Sequence, residues 1–415
     1  MRHLLPSITI LLLLLTNPGF SRPTPHMPPH HTPPDSIGPS WPAVVEASNQ
    51  FGYRFLNGAS THAPNKNLFI SPVSLWLALS MTAEGADGKT LELLDEALGL
   101  PDEWTLHTAL RALATMIRHP RAPYTLAMAN AVWPAKGNEL RPEFLKIIRD
   151  IYFGESTPLA YTKDAETARQ TINHWVASRT ERRIPELLSR GAIDASTQIV
   201  LTNAIYFKSK WKWAFDKART KDQPFYTADG NPVTVPMMNL PLGQQKFAYT
   251  DQADYKAIKI PYQGDEVEMT IILPAPGKMQ SVQDQLGQGL HYTLRQQWRM
   301  VSLDISIPRF KLDLGGSVRP VLTGMGLGVL FQSADMSRMF QKPQSVAISD
   351  VIHKAFVAVD EAGTEAAAAT AVVLSRSISS STTPLNFRAD RPFLFMITHK
   401  STDMVLFLGK VMNPK

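Results

Sequence analysis

Few stretches of the chain carry residue types that could do chemistry. Ala83-Glu-Gly-Ala-Asp-Gly-Lys-Thr90 ends like a phosphate-binding loop, in which backbone N–H groups and a lysine would cradle phosphates. Ala83 stands where such a loop needs its first glycine, and helical patterns rather than a strand precede it, so the stretch reads as a turn between helices. Gly324-Met-Gly-Leu-Gly328 lacks the third-glycine spacing and strand–helix setting of a dinucleotide site and also reads as a turn. His26, His30 and His31 are metal-ligand types, but their Pro-rich segment cannot fix a coordination geometry without an ordering cost. No metal or other cofactor is expected. Neither a His-Glu-x-x-His nor a Gly-x-Ser-x-Gly motif occurs. A dispersed catalytic triad would leave no local signature, and nothing positive supports one. The expectation is a protein that is not an enzyme.

The most informative stretch is conformational rather than catalytic. Asp360-Glu-Ala-Gly-Thr-Glu-Ala-Ala-Ala-Ala-Thr-Ala371 follows a strand-like segment and leads into the polar run Ser375–Thr383. Alanine is the best helix former, yet Ala and Thr are also small enough to slide between packed strands, and Thr370, Val372 and Val373 favour a strand. As a strand, Thr364, Ala366, Ala368, Thr370 and Val372 would share one face, with no bulky or charged group among them. About thirteen such residues would span ~43 Å, the length of a large sheet.

With 415 residues, 44% hydrophobic and 19% charged, the chain can bury a large core. Residues 1–21 have a basic start, an apolar run through Leu15 and a Pro-Gly break, the pattern of a secretory signal peptide. Localisation is therefore expected to be extracellular or periplasmic after its removal. No later segment has the ~18 consecutive apolar residues of a membrane span. There is no cysteine, hence no disulfide, and no Asn-x-Ser/Thr sequon. The net charge of +6 is carried by scattered residues, which disfavours nucleic acid as a partner. Residues 22–40 are rich in Pro and His and read as an extended tether, so the folded body is expected to start at Trp41 and run to Lys415.

Positioning elements are legible. Val44, Ala47, Phe51 and Phe55 recur at helical spacing; Ser71-Pro72 reads as an N-cap with first-turn proline; Thr90 is expected to open a helix that Gly99 closes. Further helices are expected over Trp104–Ile117, Pro142–Tyr152 and Glu166–Thr180, making the first third mainly helical. Val301–Ile307 alternates at every step and reads as one half-buried strand, as do Val267, Met269 and Ile271; Gln198–Lys208, Ala347–Asp360, Phe393–Thr398 and Met404–Val411 are apolar enough to be central. The class is α+β.

Five blocks, in order, resemble the serpin family: Asn67–Ser74, Leu201–Trp211, Val301–Phe310, Asp360–Ala371 and Phe387–Phe395. The resemblance implies a single domain over residues 41–415 with three β-sheets, about nine helices and an exposed reactive-centre loop at about 361–386. It implies a secreted, monomeric suicide inhibitor that traps a serine protease as an acyl-enzyme when its cut loop enters the main sheet; a non-inhibitory binding or transport serpin is the alternative. The implied hinge is Glu361, Gly363, Thr364, Ala366, Ala368 and Thr370. Trp211, Arg309 and Glu361 match the breach at the top of the main sheet, with an Arg309–Glu361 ion pair expected, and Ser71, Ser74, Asn203 and His353 match the shutter beneath it.

The resemblance implies, counting from Glu361 as in inhibitory serpins, a scissile bond at Ser377-Ile378, suited to an elastase- or subtilisin-like protease; the alternative Arg376-Ser377 suits a trypsin-like one. Residues 378–386 are about four longer than the family's usual stretch, which leaves cleavage further along open. Arg111, Arg118 and Arg121 lie where some relatives bind glycosaminoglycan, but the cluster is thin and reads as a solvated helix face.

Overall fold

The computed structural model describes residues 41–342, 345–364 and 385–415. The expected leader and tether, hinge residues Ala366, Ala368 and Thr370, and the candidate bonds at Arg376, Ser377 and Ile378 lie outside them. Within the described residues the fold is α+β, with nine α-helices, main sheets of seven, six and four strands, and a two-stranded ribbon.

The six-stranded main sheet runs in the order Phe310–Ser317, Asp350–Val359, Gly363–Thr364, Ile199–Lys210, Thr125–Pro134 and Glu155–Ser156. Helix Ala165–Arg179 covers one face, where Ile172 and Val176 pack with Val200, Ala204, Tyr206 and Ile352. The opposite face meets helix Pro72–Ala83 and the seven-stranded sheet, with Phe207 tilted 5.9 Å from Phe407. Covered on both sides, strand Ile199–Lys210 is buried at ten of its twelve positions, which is why its sequence is apolar from Ile199 to Phe207 except at Thr202 and Asn203.

Helix Pro72–Ala83 is buried everywhere except at Leu77, as expected of a helix apolar all round. It opens as its sequence indicates: Ser71 Oγ accepts from the Ser74 N–H at 3.3 Å, and Pro72 supplies a preset φ.

Several expectations need correction. The helix expected from Thr90 spans Gly88–Leu98, because Asp87 caps it by accepting from the Gly88 N–H. Thr90 is instead buried, its Oγ1 accepting from the Asp335 N–H at 2.9 Å. The first third also holds a ten-residue strand, Thr125–Pro134, in a stretch of Leu, Ala and Met that favours helix. Its ladder to Ile199–Lys210 and its covered faces override that local preference. The single strand expected over Val301–Ile307 is divided: Arg299–Val301 edges the seven-stranded sheet and Asp304–Pro308 joins the four-stranded one, with Ser302 and Leu303 between them in neither.

In the seven-stranded sheet Gly409 lies directly opposite Phe395, whose ring stacks on Phe69 and meets Phe310 edge-on at 5.3 Å. A Cβ at Gly409 would fall 2.2 Å from Phe395 Cε1. Gly409→Ala is therefore expected to push the ring out of its stack and lower stability by ~1–3 kcal/mol. Urea unfolding checks this: the midpoint should fall at constant m, whereas an unmoved midpoint would show that the ring has room.

Candidate functional site

The site is the seam at the centre of the main sheet. Strands Asp350–Val359 and Ile199–Lys210 pair there directly and in parallel, from Asp350 opposite Val200 to Phe356 opposite Tyr206. At the upper end Gly363 and Thr364 enter between them, antiparallel to both, with Thr364 opposite Val359 on one side and Ser209 on the other.

Local chemistry explains how the chain turns into that slot. Asp360 Oδ1 accepts from the N–H groups of Ala362 (2.8 Å) and Gly363 (3.2 Å), the Asx turn that a short carboxylate makes with its own backbone. Gly363 has φ 154°, and a Cβ there would lie 2.2 Å from Ser209 O, so only glycine permits this approach. Thr364 is fully buried and its hydroxyl meets the Tyr262 hydroxyl at 2.6 Å.

Around the turn, Trp211 stacks on Tyr262 with centroids 4.5 Å apart, donates from Nε1 to Asp360 O at 2.9 Å, and binds Ala362 O through its backbone N–H. Glu361 is 1% exposed. Its Oε1 accepts from Thr220 Oγ1 at 2.6 Å and lies 2.5 Å from Arg309 Nη2. Burial pushes this carboxyl up, but hydrogen bonds from Thr220 and Arg309 outweigh it and hold the group below its ordinary value. The structure thus gathers Trp211, Arg309 and Glu361 around the start of the hinge, and adds Thr220 and Tyr262.

Lower on the seam, Asn130, Asn203 and His353 sit directly opposite one another on three adjacent strands. Asn203 Nδ2 donates toward Ser74 O (2.8 Å), Ser74 Oγ (2.5 Å) and Asn130 Oδ1 (2.5 Å), while its Oδ1 meets His353 Nδ1. The Ser71 N–H donates to His353 Nε2 at 3.1 Å, and Ser71 Oγ donates to Leu406 O at 2.6 Å. Because Nε2 accepts from a backbone N–H, the ring proton resides on Nδ1 and is given to Asn203. Complete burial lowers the His353 pKa to about 3, so the ring is neutral. Ser71, Ser74, Asn203 and His353 form one network, which Asn130 and the Leu406 carbonyl complete.

This arrangement has a mechanical reading. Opening the seam separates His353 from Asn203, but Ser71 still holds His353 and Ser74 with Asn130 still hold Asn203. The Asn203–His353 side-chain hydrogen bond crosses the parting line, while each of these two side chains keeps a partner in the layer below or on the neighbouring strand. Since an orphaned buried group costs ~1–3 kcal/mol, retaining those partners limits the cost of opening.

A family model described as Serpin (serine protease inhibitor) matches residues 46–414. The chain belongs to the serpin family. Among relatives of this serpin, the leukocyte elastase inhibitor of Homo sapiens is 36% identical over 382 residues, covering 89% of this chain and 99% of that one. An uncharacterized serpin-like protein of Thermococcus kodakarensis is 36% identical over 375 residues, covering 90% and 86%. Among solved structures, human thyroxine-binding globulin complexed with its ligand superposes with TM-score 0.82 at 26% identity, covering 91% and 100%. An Arabidopsis serpin in its native stressed conformation gives 0.78 at 27%, covering 92% and 100%.

Of the residues missed in this serpin's sequence, only Asn130 left a trace, as a lone amide in an apolar run; Thr220 and Tyr262 reach the site from distant segments and left none. The buried imidazole gives a pH signature. Below the ordinary histidine value of ~6.5 the unfolded chain binds a proton that folded His353 refuses, so this residue withdraws stability as pH falls from about 6.5 toward 3, by up to ~1.4 kcal/mol per pH unit. His353→Asn is expected to be less stable at neutral pH, with a deficit that shrinks as pH falls. Parallel slopes for the two proteins in urea titrations would refute the neutral buried ring.

Proposed function

We propose that this serpin is a secreted suicide-substrate inhibitor of serine proteases. The observation that carries the reading is the seating of Gly363–Thr364 as the first rung of an antiparallel strand between two parallel neighbours. Continued along the seam, that strand would replace one parallel ladder with two antiparallel ones, and antiparallel pairing is the more stable per residue. The closed sheet is then a metastable starting point, and insertion of the reactive loop, a strand addition for which serpins are known, is downhill. The likeness to the stressed Arabidopsis serpin supports the same starting state.

The protease treats the loop as substrate. Its serine Oγ attacks the carbonyl before the scissile bond; the amide breaks, an ester forms, and the new amino terminus departs with a proton from the protease's histidine. The freed hinge then enters the seam and carries the ester-linked protease along the sheet before water can release it. In an inserted strand, the small residues Ala366, Ala368 and Thr370 would share the inward face of Thr364 by alternation, as insertion requires. The leader at residues 1–21 supports export. The kinship with an elastase inhibitor favours Ser377-Ile378 as the bond and an elastase- or subtilisin-like protease over the trypsin-like alternative at Arg376-Ser377. A binding protein with no inhibitory step is the competing reading, given the likeness to thyroxine-binding globulin.

Incubation with elastase, subtilisin and trypsin should yield a denaturant-resistant complex with one of them, and mass spectrometry of the released fragment should begin at Ile378. Cleavage without any complex would instead indicate the binding protein. The cleaved inhibitor should melt well above the intact one; equal melting temperatures contradict insertion.

Because Thr364 already occupies its slot, replacing it disturbs the intact molecule, so Ala368→Arg is the cleaner variant. Burying its charge opposes strand entry, and the ratio of cleaved to complexed inhibitor should rise at least tenfold. An unaltered ratio argues against insertion past residue 368.

A further inference from the structure

Away from the seam, the end of helix Pro72–Ala83 meets helix Glu103–Ile117 over a pocket of about 170 Å³. Four carboxylates line it, those of Glu84, Asp95, Asp102 and Glu103, against one basic group, Arg338. Asp102 is committed to capping its helix, accepting from the Thr105 N–H at 3.0 Å. Asp95 is held above its ordinary value by burial and then by the charge of Glu84, with Arg338 opposing.

Glu84 is 8% exposed, and both its hydrogen bonds fall on Oε1, from Tyr152 Oη and His107 Nε2, each at 2.8 Å. Oε2 has no donor among the described residues. His107 lies one helical turn beyond Glu103, on the same face. A ligand atom from each of Glu84, Glu103 and His107 lies within 4.8 Å of the other two.

We propose that Glu84, Glu103 and His107 bind a divalent transition-metal ion, with Zn²⁺ the best chemical fit. One imidazole nitrogen and two carboxylate oxygens form a donor set suited to zinc, with a fourth position open to water. Ligand atoms of a tetrahedral zinc site lie ~3.4 Å apart, so a modest closure is needed. Exposed Glu103, which makes no described hydrogen bond, can supply it by rotation. Tyr152 orients the buried carboxylate from behind, as an outer-shell donor does. On binding, the Nε2 proton of His107 leaves or moves to Nδ1, and the freed lone pair takes the ion. The excess of carboxylates makes the pocket attractive to cations before any ligand closes.

The ion would bolt helix Glu103–Ile117 to the residue following helix Pro72–Ala83, whose other end carries Ser71 and Ser74 under the seam. Binding to the folded chain and not to the unfolded one would raise stability by mass action.

The test uses the full chain stripped with EDTA, titrated with ZnCl₂ by calorimetry and melted with and without the metal, with MgCl₂ as counter-probe. Wild type should melt higher with ZnCl₂. Exposed Glu103→Gln and His107→Ala should each weaken one site at least tenfold and lose that rise, whereas any zinc uptake by the histidines of residues 22–40 would be the same in all three proteins. No zinc-dependent rise in wild type, or identical titrations and melts in all three proteins, overturns the proposal. So does a rise with MgCl₂ equal to that with ZnCl₂, since magnesium has no need of the imidazole.

Discussion

The molecule depends on one parallel ladder, that between Ile199–Lys210 and Asp350–Val359 at the middle of the main sheet. Both strands are antiparallel to their outer neighbours, Thr125–Pro134 and Phe310–Ser317. The seam is therefore the one place in the sheet's centre where a further strand can join antiparallel to both sides. Packing of Val200, Ala204 and Tyr206 under helix Ala165–Arg179, and of Leu201, Ile205 and Phe207 on the other face, holds the seam shut without any covalent constraint.

Polar groups divide the labour along its length. At the lower level the Asn130–Asn203–His353 row is held from beneath by Ser71 and Ser74, so when the strands part and the Asn203–His353 bond breaks, each side chain still keeps a partner. At the upper level Trp211, Thr220, Arg309 and Glu361 secure the turn through which the hinge enters. The two levels differ in electrostatics: the lower is neutral, with its histidine kept uncharged by burial, whereas the upper holds a carboxylate stabilised by donors and by a half-exposed guanidinium. A neutral network is the cheaper one to rearrange inside a sheet, because no bare charge is created when its partners separate.

Parts of this were legible in the chain. Ser71-Pro72 indicated the start of the buried helix because capping is a local matter of one side chain and the next three N–H groups. Met404–Val411 was readable to its end residues because a doubly covered strand is an unbroken apolar run. Thr125–Pro134 was not, since its Leu, Ala and Met favour helix and only its cross-strand partners impose the extended form. Val301–Ile307 alternated correctly, but alternation says which face is buried and nothing about which sheet the strand joins, so the division at Ser302-Leu303 was invisible.

By itself the sequence determined the family, the α+β class and the small-residue stretch beginning at Gly363-Thr364, because these are properties of residue type and order. Only the tertiary structure decided that Gly363 and Thr364 sit between the two central strands, which amide lies opposite which, and that Thr220 and Tyr262 close around Glu361 and Thr364. Register and long-range contact arise from packing among segments far apart in the chain, and no local pattern carries that information.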